Sequence, residues 1–126
     1  MAQLINDDLS TIGGILDSLK DLPEDAACTP FGDLTITLLY DDKNNVAYLD
    51  AAKFFEEEGI KGKTCGSGFQ TVKELTDALK KIPANTPCTP CGDECSCIVF
   101  DKDSNFVYLD NKDFLLEEEI LDDPER

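Results

Sequence analysis

Cys28-Thr29-Pro30-Phe31-Gly32-Asp33 recurs 60 residues later as Cys88-Thr89-Pro90-Cys91-Gly92-Asp93, and the surrounding chain repeats at the same offset without a gap. Between residues 11–60 and 71–120, 19 of 50 positions are identical. Leu19-Lys20 answers Leu79-Lys80, Pro23 answers Pro83, and Tyr48-Leu49-Asp50 answers Tyr108-Leu109-Asp110. Phe54 answers Phe114, and Glu57-Glu58 answers Glu117-Glu118. Chance does not produce such a match, so the chain reads as an internal duplication. A unit of about 60 residues is marginal as an independent domain. The 126 residues are therefore expected to form one domain built of two repeats, 9–60 and 69–120, around a shared core. A short Gly-rich linker, 61–68, is expected to join them.

The apolar spacing of Leu9, Ile12, Ile15, Leu16, Leu19 and Leu22 predicts a helix, as does that of Phe69, Val72, Leu75, Leu79 and Ile82. Thr71 followed by Glu74 has the form of a capping box, and each helix should stop before its proline, Pro23 or Pro83. Residues 34–40 and 94–100 read as strands, followed by polar turns at 41–45 and 101–105. Residues 46–50 and 106–110 read as return strands, and 51–58 and 111–119 have helical composition. The expected fold is α+β: a tandem helix, β-hairpin and short helix unit. Its two hairpins would join into one four-stranded antiparallel sheet, with the helices on one face and a pseudo-two-fold axis between the units.

The run Thr71-Val72-Lys73-Glu74-Leu75, continuing through Leu79 to Pro83 and then into a polar loop and a hairpin, resembles the opening of many small bacterial and phage proteins. Those share a Thr-Val-x-x-Leu-x-x-x-Leu-x-x-Leu-Pro helix leading into a hairpin, and most have no assigned activity. The resemblance implies a fold unit and a bacterial or phage origin. In that family an Asp and a Pro-Val usually follow the proline. Here Asn85 and Pro87-Cys88 stand in one copy, and Asp25 and Ala27-Cys28 in the other.

Acidic residues outnumber basic ones 27 to 11, a net charge of −16. Residues 1–63 carry 13 acids and 5 bases, and residues 64–126 carry 14 and 6, so the charge belongs to the whole body. A small soluble domain needs only about 2–8. Such a surface repels nucleic acid and anionic membrane and attracts basic protein surfaces. The densest acids are Glu56, Glu57 and Glu58, Glu117, Glu118 and Glu119, and Asp122 and Asp123. Each run alone reads as a solvated helix face. Doubled by the repeat, they read as two ridges of carboxylates that imitate phosphates. No run of 18 apolar residues spans a membrane, and the opening residues lack the basic and apolar regions of a signal peptide. A cytoplasmic location is expected.

Cys88, Cys91, Cys95 and Cys97 fall within ten residues, as C-x2-C-x3-C-x-C. Four thiolates can hold one zinc ion, although structural sites usually bring two C-x2-C knuckles together across a longer gap. The first copy has Phe31, Thr35 and Thr37 at the matching positions, so the fold does not require the cluster. On a strand, Cys95 and Cys97 would share a face. The competing reading is buried thiols acting as small hydrophobes. The C-x-x-C of Cys88 and Cys91 follows a helix and precedes a strand, the wrong context for thioredoxin-like chemistry.

The absence of histidine excludes Ser-His and Cys-His catalysis, and no Gly-rich phosphate loop follows a strand. Asp101, Asp103 and Asn105 begin like a calcium loop, but Phe106 and Lys112 stand where Gly and Glu belong. The first reading is thus a non-enzymatic inhibitor, without cofactor, that binds the basic surface of a nucleic-acid-binding protein. A phage anti-defence mimic and a nuclease immunity protein are its two forms. The alternative is a zinc or redox module at the four cysteines. A third is an oligomer-forming protein, a homodimer at its simplest, with charge for solubility.

Overall fold

The computed structural model describes residues 2–92 and 95–121, which form an α+β fold with four helices and two sheets. The elements run β1 (Ala2–Asn6), α1 (Ile12–Leu19), β2 (Ile36–Asp41), β3 (Val46–Ala51) and α2 (Ala52–Glu58). They continue with β4 (Lys63–Ser67), α3 (Val72–Leu79), β5 (Cys88–Pro90), β6 (Ser96–Asp101), β7 (Phe106–Asn111) and α4 (Lys112–Glu117).

Both long helices start where a threonine accepts the orphan amides of the first turn. The Thr11 hydroxyl accepts from the Gly14 N–H (3.0 Å), and the Thr71 hydroxyl from the Glu74 N–H (3.2 Å). The Glu74 carboxylate reaches back to the Gln70 N–H (2.8 Å), one residue beyond the threonine amide a capping box would use. The hairpin turns end on Asn45 and Asn105, both left-handed (φ 53° and 52°), a conformation asparagine tolerates better than most residues.

The single four-stranded antiparallel sheet is not formed. One sheet has the order β4-β2-β3-β5 and the other β1-β6-β7. Two features exclude the joined sheet. Each hairpin's outer edge is taken by the strand that opens the other half: β4 pairs with β2, and β1 with β6. Residues 61–68 thus contribute strand β4 as well as a connection. In addition, each first hairpin strand is buried on both faces, from Ile36 to Leu39 and from Ser96 to Val99, so each hairpin needs cover on two sides. The sheets also differ in direction and size. β5 runs parallel to β3, whereas in the first half Ala27 makes isolated bridges, parallel to Phe106 and antiparallel to Thr71.

Strand alternation divides the cover. Leu38, Ala47 and Leu49 from one sheet, and Ile98, Val107 and Leu109 from the other, enter one core with Ile12, Ile15, Leu19, Val72, Leu75 and Leu79 of α1 and α3. The long helices therefore face both sheets, not one face of a single sheet. The opposite faces are covered by the short helices. Phe55 of α2 meets Tyr48 edge-on with ring centroids 6.1 Å apart, and Leu115 of α4 packs with Cys97, Val99 and Leu121.

Backbone hydrogen bonds between the halves come in pairs that differ by 60 residues on each side. Ile12 donates to Thr86 and Val72 to Ala26, both at 3.0 Å. Gly13 donates to Ala84 (2.7 Å) and Lys73 to Glu24 (3.0 Å). Cys28 donates to Gln70 (2.9 Å) and Cys88 to Ser10 (2.8 Å). Ala47 donates to Pro87 (2.8 Å) and Val107 to Ala27 (2.7 Å).

Candidate functional site

The repeated Cys-Thr-Pro-x-Gly motif is a turn between helix and hairpin. In the first copy, Gly32 donates to Thr29 (3.0 Å) and Asp33 to Pro30 (3.2 Å), closing a 3-10 turn over Pro30–Gly32. Two successive residues are left-handed in each copy: Phe31 and Gly32 (φ 57° and 64°), and Cys91 and Gly92 (φ 46° and 64°). Glycine serves the second position without strain, whereas phenylalanine and cysteine hold the first at a cost. The Asp33 carboxylate then accepts from the Thr35 N–H (2.8 Å) and hydroxyl (2.7 Å), which holds its carboxyl below the usual range. The matching Asp93 lies outside the described residues. The cysteine opening each motif donates its amide to the other half, so this loop fastens the halves together.

The four clustered cysteines are not brought together. Cys88 is buried in the shared core, with Cys91 packed against its rim, and Cys97 lies in the second cluster on the other face of β6. Cys95 precedes β6 and is exposed, so it does not share a strand face with Cys97. A metal held by all four would need ligands from both faces of one strand. Among the described residues no group of three or more cysteine, aspartate or glutamate side chains has a metal-holding arrangement. No disulfide joins the described cysteines. Burial pushes the Cys28 and Cys88 thiols up to about 12. Burial, then the Asp50, Asp110 and Asp33 carboxylates, pushes Cys91 to about 12, and burial raises Cys97 to about 11. These thiols are protonated at neutral pH and are poor nucleophiles.

The acid runs lie elsewhere, on the outer helices. Glu56, Glu57 and Glu58 end α2, and Glu117, Glu118 and Glu119 end α4 and follow it; all six are exposed. Asp122 and Asp123 lie outside the described residues. Of these six, only Glu57 has a cationic partner among the described residues, Lys53 at 3.8 Å. Neither helix has a basic residue in its last turn. The carboxylates thus crowd the negative end of each helix, where an anion is disfavoured by about 0.3–1 kcal/mol.

Both helices end alike. Ile60 donates to Phe55 and Ile120 to Leu115, each at 3.0 Å, across a left-handed residue. That residue is Gly59 in the first copy (φ 65°) and Glu119 in the second (φ 60°). Glutamate pays a backbone cost there that glycine avoids. Glu119→Gly is expected to raise stability by about 1 kcal/mol, read as a higher urea midpoint at unchanged slope.

One feature of these surfaces escaped the sequence reading. Phe54 and Phe114 stand beside the two acid runs and remain 37% and 44% exposed. Their identity at the 60-residue offset was the available signal, but it reads equally as a core position. No helix of the described residues is long and apolar enough to cross a membrane. No family model, curated protein or solved structure matches the chain.

Proposed function

We propose that the protein is a small acidic, non-enzymatic inhibitor that binds and blocks the basic, nucleic-acid-binding surface of another protein. The observation that carries this reading is where its carboxylates sit. Six exposed glutamates occupy the negative ends of two outer helices, one of them in a left-handed conformation, and only one has a cation beside it among the described residues. Solubility alone does not call for that placement, because it costs stability at each position. Partner binding does, because fixed carboxylates present the charge that a phosphate-binding surface recognises. The net charge of −16 steers such a partner and repels nucleic acid and anionic membrane.

The same reading takes the halves as tandem copies related by a pseudo-two-fold axis, supported by the paired hydrogen bonds between them and the matching bonds of Ile60 and Ile120 at the helix ends. The two ridges are then equivalent, each with one exposed phenylalanine. The biological forms are a phage anti-defence mimic, directed at a restriction or RNA-guided nuclease, and an immunity protein against a nuclease. Both act in the cytoplasm.

The test is displacement of a fluorescent duplex from a panel of purified restriction and RNA-guided nucleases. At least one member should release its DNA at 50 mM salt, with the effect fading steeply by 200 mM. Changing all six glutamates to glutamine should weaken displacement on the order of 100-fold while stabilising the fold by about 1–2 kcal/mol. Failure to displace DNA from any nuclease at low salt, or equal potency of the six-fold variant, overturns the proposal.

A further inference from the structure

A cleft of about 460 Å³ lies between the loop joining β1 to α1 and the strand β5, within the size range of small-molecule sites. It is formed where the two halves differ. At the corresponding junction of the second half, Phe69 and Ile36 are both buried. The positions related to them by 60 residues are Leu9 and Ser96, two smaller side chains, and both line the cleft.

Ser96 is the informative residue. It is 2% exposed, and its hydroxyl has no hydrogen-bond partner among the described residues. By strand alternation its side chain shares a face with Ile98 and Phe100, the face that carries Leu9 and Cys88. Buried hydroxyls are ordinarily satisfied, so one left open in a cleft wall marks a place for a ligand's polar group. Asp7 and Asp8 also line the cleft, and among the described residues no lysine or arginine does. One Asp8 oxygen accepts from the Ser10 N–H (3.3 Å) and hydroxyl (2.7 Å), which fixes the carboxylate and leaves its other oxygen for a ligand. Asp7 has Lys112 at 3.5 Å, an exposed pair that a second cation can displace. Leu9, Pro87 and Pro90 supply apolar wall between the two ends.

We propose that this cleft binds a small protonated amine carrying a second polar group on a short apolar stem. The ammonium sits at Asp7 and Asp8, the stem lies along Leu9 and the prolines, and the far polar group bonds to the Ser96 hydroxyl. The site is separate from the glutamate ridges and does not depend on their role.

The probe is 4-amino-1-butanol, titrated into the intact protein at 150 mM salt and followed by amide NMR shifts. Saturable shifts confined to residues 7–10, 87–92 and 96 are expected. The neutral 1,4-butanediol should bind at least 10-fold more weakly, as should the amine to Asp8→Asn, which keeps the loop's hydrogen bonds. Ser96→Ile, which installs the residue of the other half, should abolish binding. If that variant fails to fold, Leu9→Phe fills the same space and should do the same. Equal binding of diol and amine, shifts spread over the whole acidic surface, or undiminished binding by both cleft-filling variants would each overturn the proposal.

Discussion

Split into fragments 1–61 and 62–126, the protein is expected to be unfolded in either half and folded when the two are mixed. Neither hairpin keeps its sheet in isolation. The first loses β4 and β5, both supplied by the second half, and the second loses β1. The cross-half bonds at the N-termini of α1 and α3 disappear as well, leaving the amides of Ile12, Gly13, Val72 and Lys73 without their partners. The larger loss is apolar. Leu38, Leu49, Ile98 and Leu109 reach the same core from different halves, and a half alone exposes that surface to water. A chain of about 60 residues has no margin for this. Circular dichroism and amide NMR of each fragment should show a disordered chain, and an equimolar mixture should recover the spectrum of the intact protein. A cooperative unfolding transition in either fragment alone would refute the interlocked arrangement.

That interlocking explains which elements the sequence revealed. The hairpins and long helices were legible, because the β-branched residues within 34–40, the alternation at 46–50 and the spacing of Ile12, Ile15 and Leu19 are strong local signals. Strands β1 and β4 were not. They lie at sheet edges, much of Ala2–Asn6 and Lys63–Ser67 is exposed or half-exposed, and nothing local distinguishes them from a loop or linker. Their pairing is decided by the other half of the chain. The clue against a single sheet was present in the buried run Ile36–Leu39, since a strand with one solvated face would alternate.

The candidate sites divide along the same line. The acid runs were readable because exposure is what charged residues do by default. Their place at helix C-termini depended on Gly59 and its counterpart Glu119, the second of which carries no helix-stop signal in its residue type. Cys97 faces away from Ser96 and Ile98, so closeness in sequence to Cys88 and Cys91 did not become closeness to the face they occupy. The cleft at Ser96 was invisible for another reason. It follows from comparing two packed junctions, Leu9 with Ser96 against Phe69 with Ile36, and no single residue among them is unusual.

Between pH 9 and 10.5 the protein should lose a large part of its stability through two thiols. Cys28 and Cys88 are 0% and 5% exposed, and burial pushes both up to about 12 from an ordinary value of 9.0. The sign follows from proton binding. Below pH 9 the thiols are protonated in both folded and unfolded chains and stability does not depend on them. Above it the unfolded chain releases the protons and the folded chain holds them, so stability falls with pH until the folded value is reached. At pH 10.5 this amounts to roughly 2 kcal/mol for each thiol. Against a total of about 5–15 kcal/mol for a domain, the pair is enough to shift the urea midpoint strongly. The half-buried Cys91 and the buried Cys97 also respond in this range, so the decisive quantity is a difference between proteins. With a reductant present, Cys28→Ala combined with Cys88→Ala should be somewhat less stable than the native chain at pH 8, because it loses two packed sulfur atoms. Its stability should fall less steeply above pH 9, and the two curves should converge or cross by pH 10.5. Parallel curves would mean that these sulfurs reach water in the folded protein, and that Cys-Thr-Pro does not seal the core at the junction of the two halves.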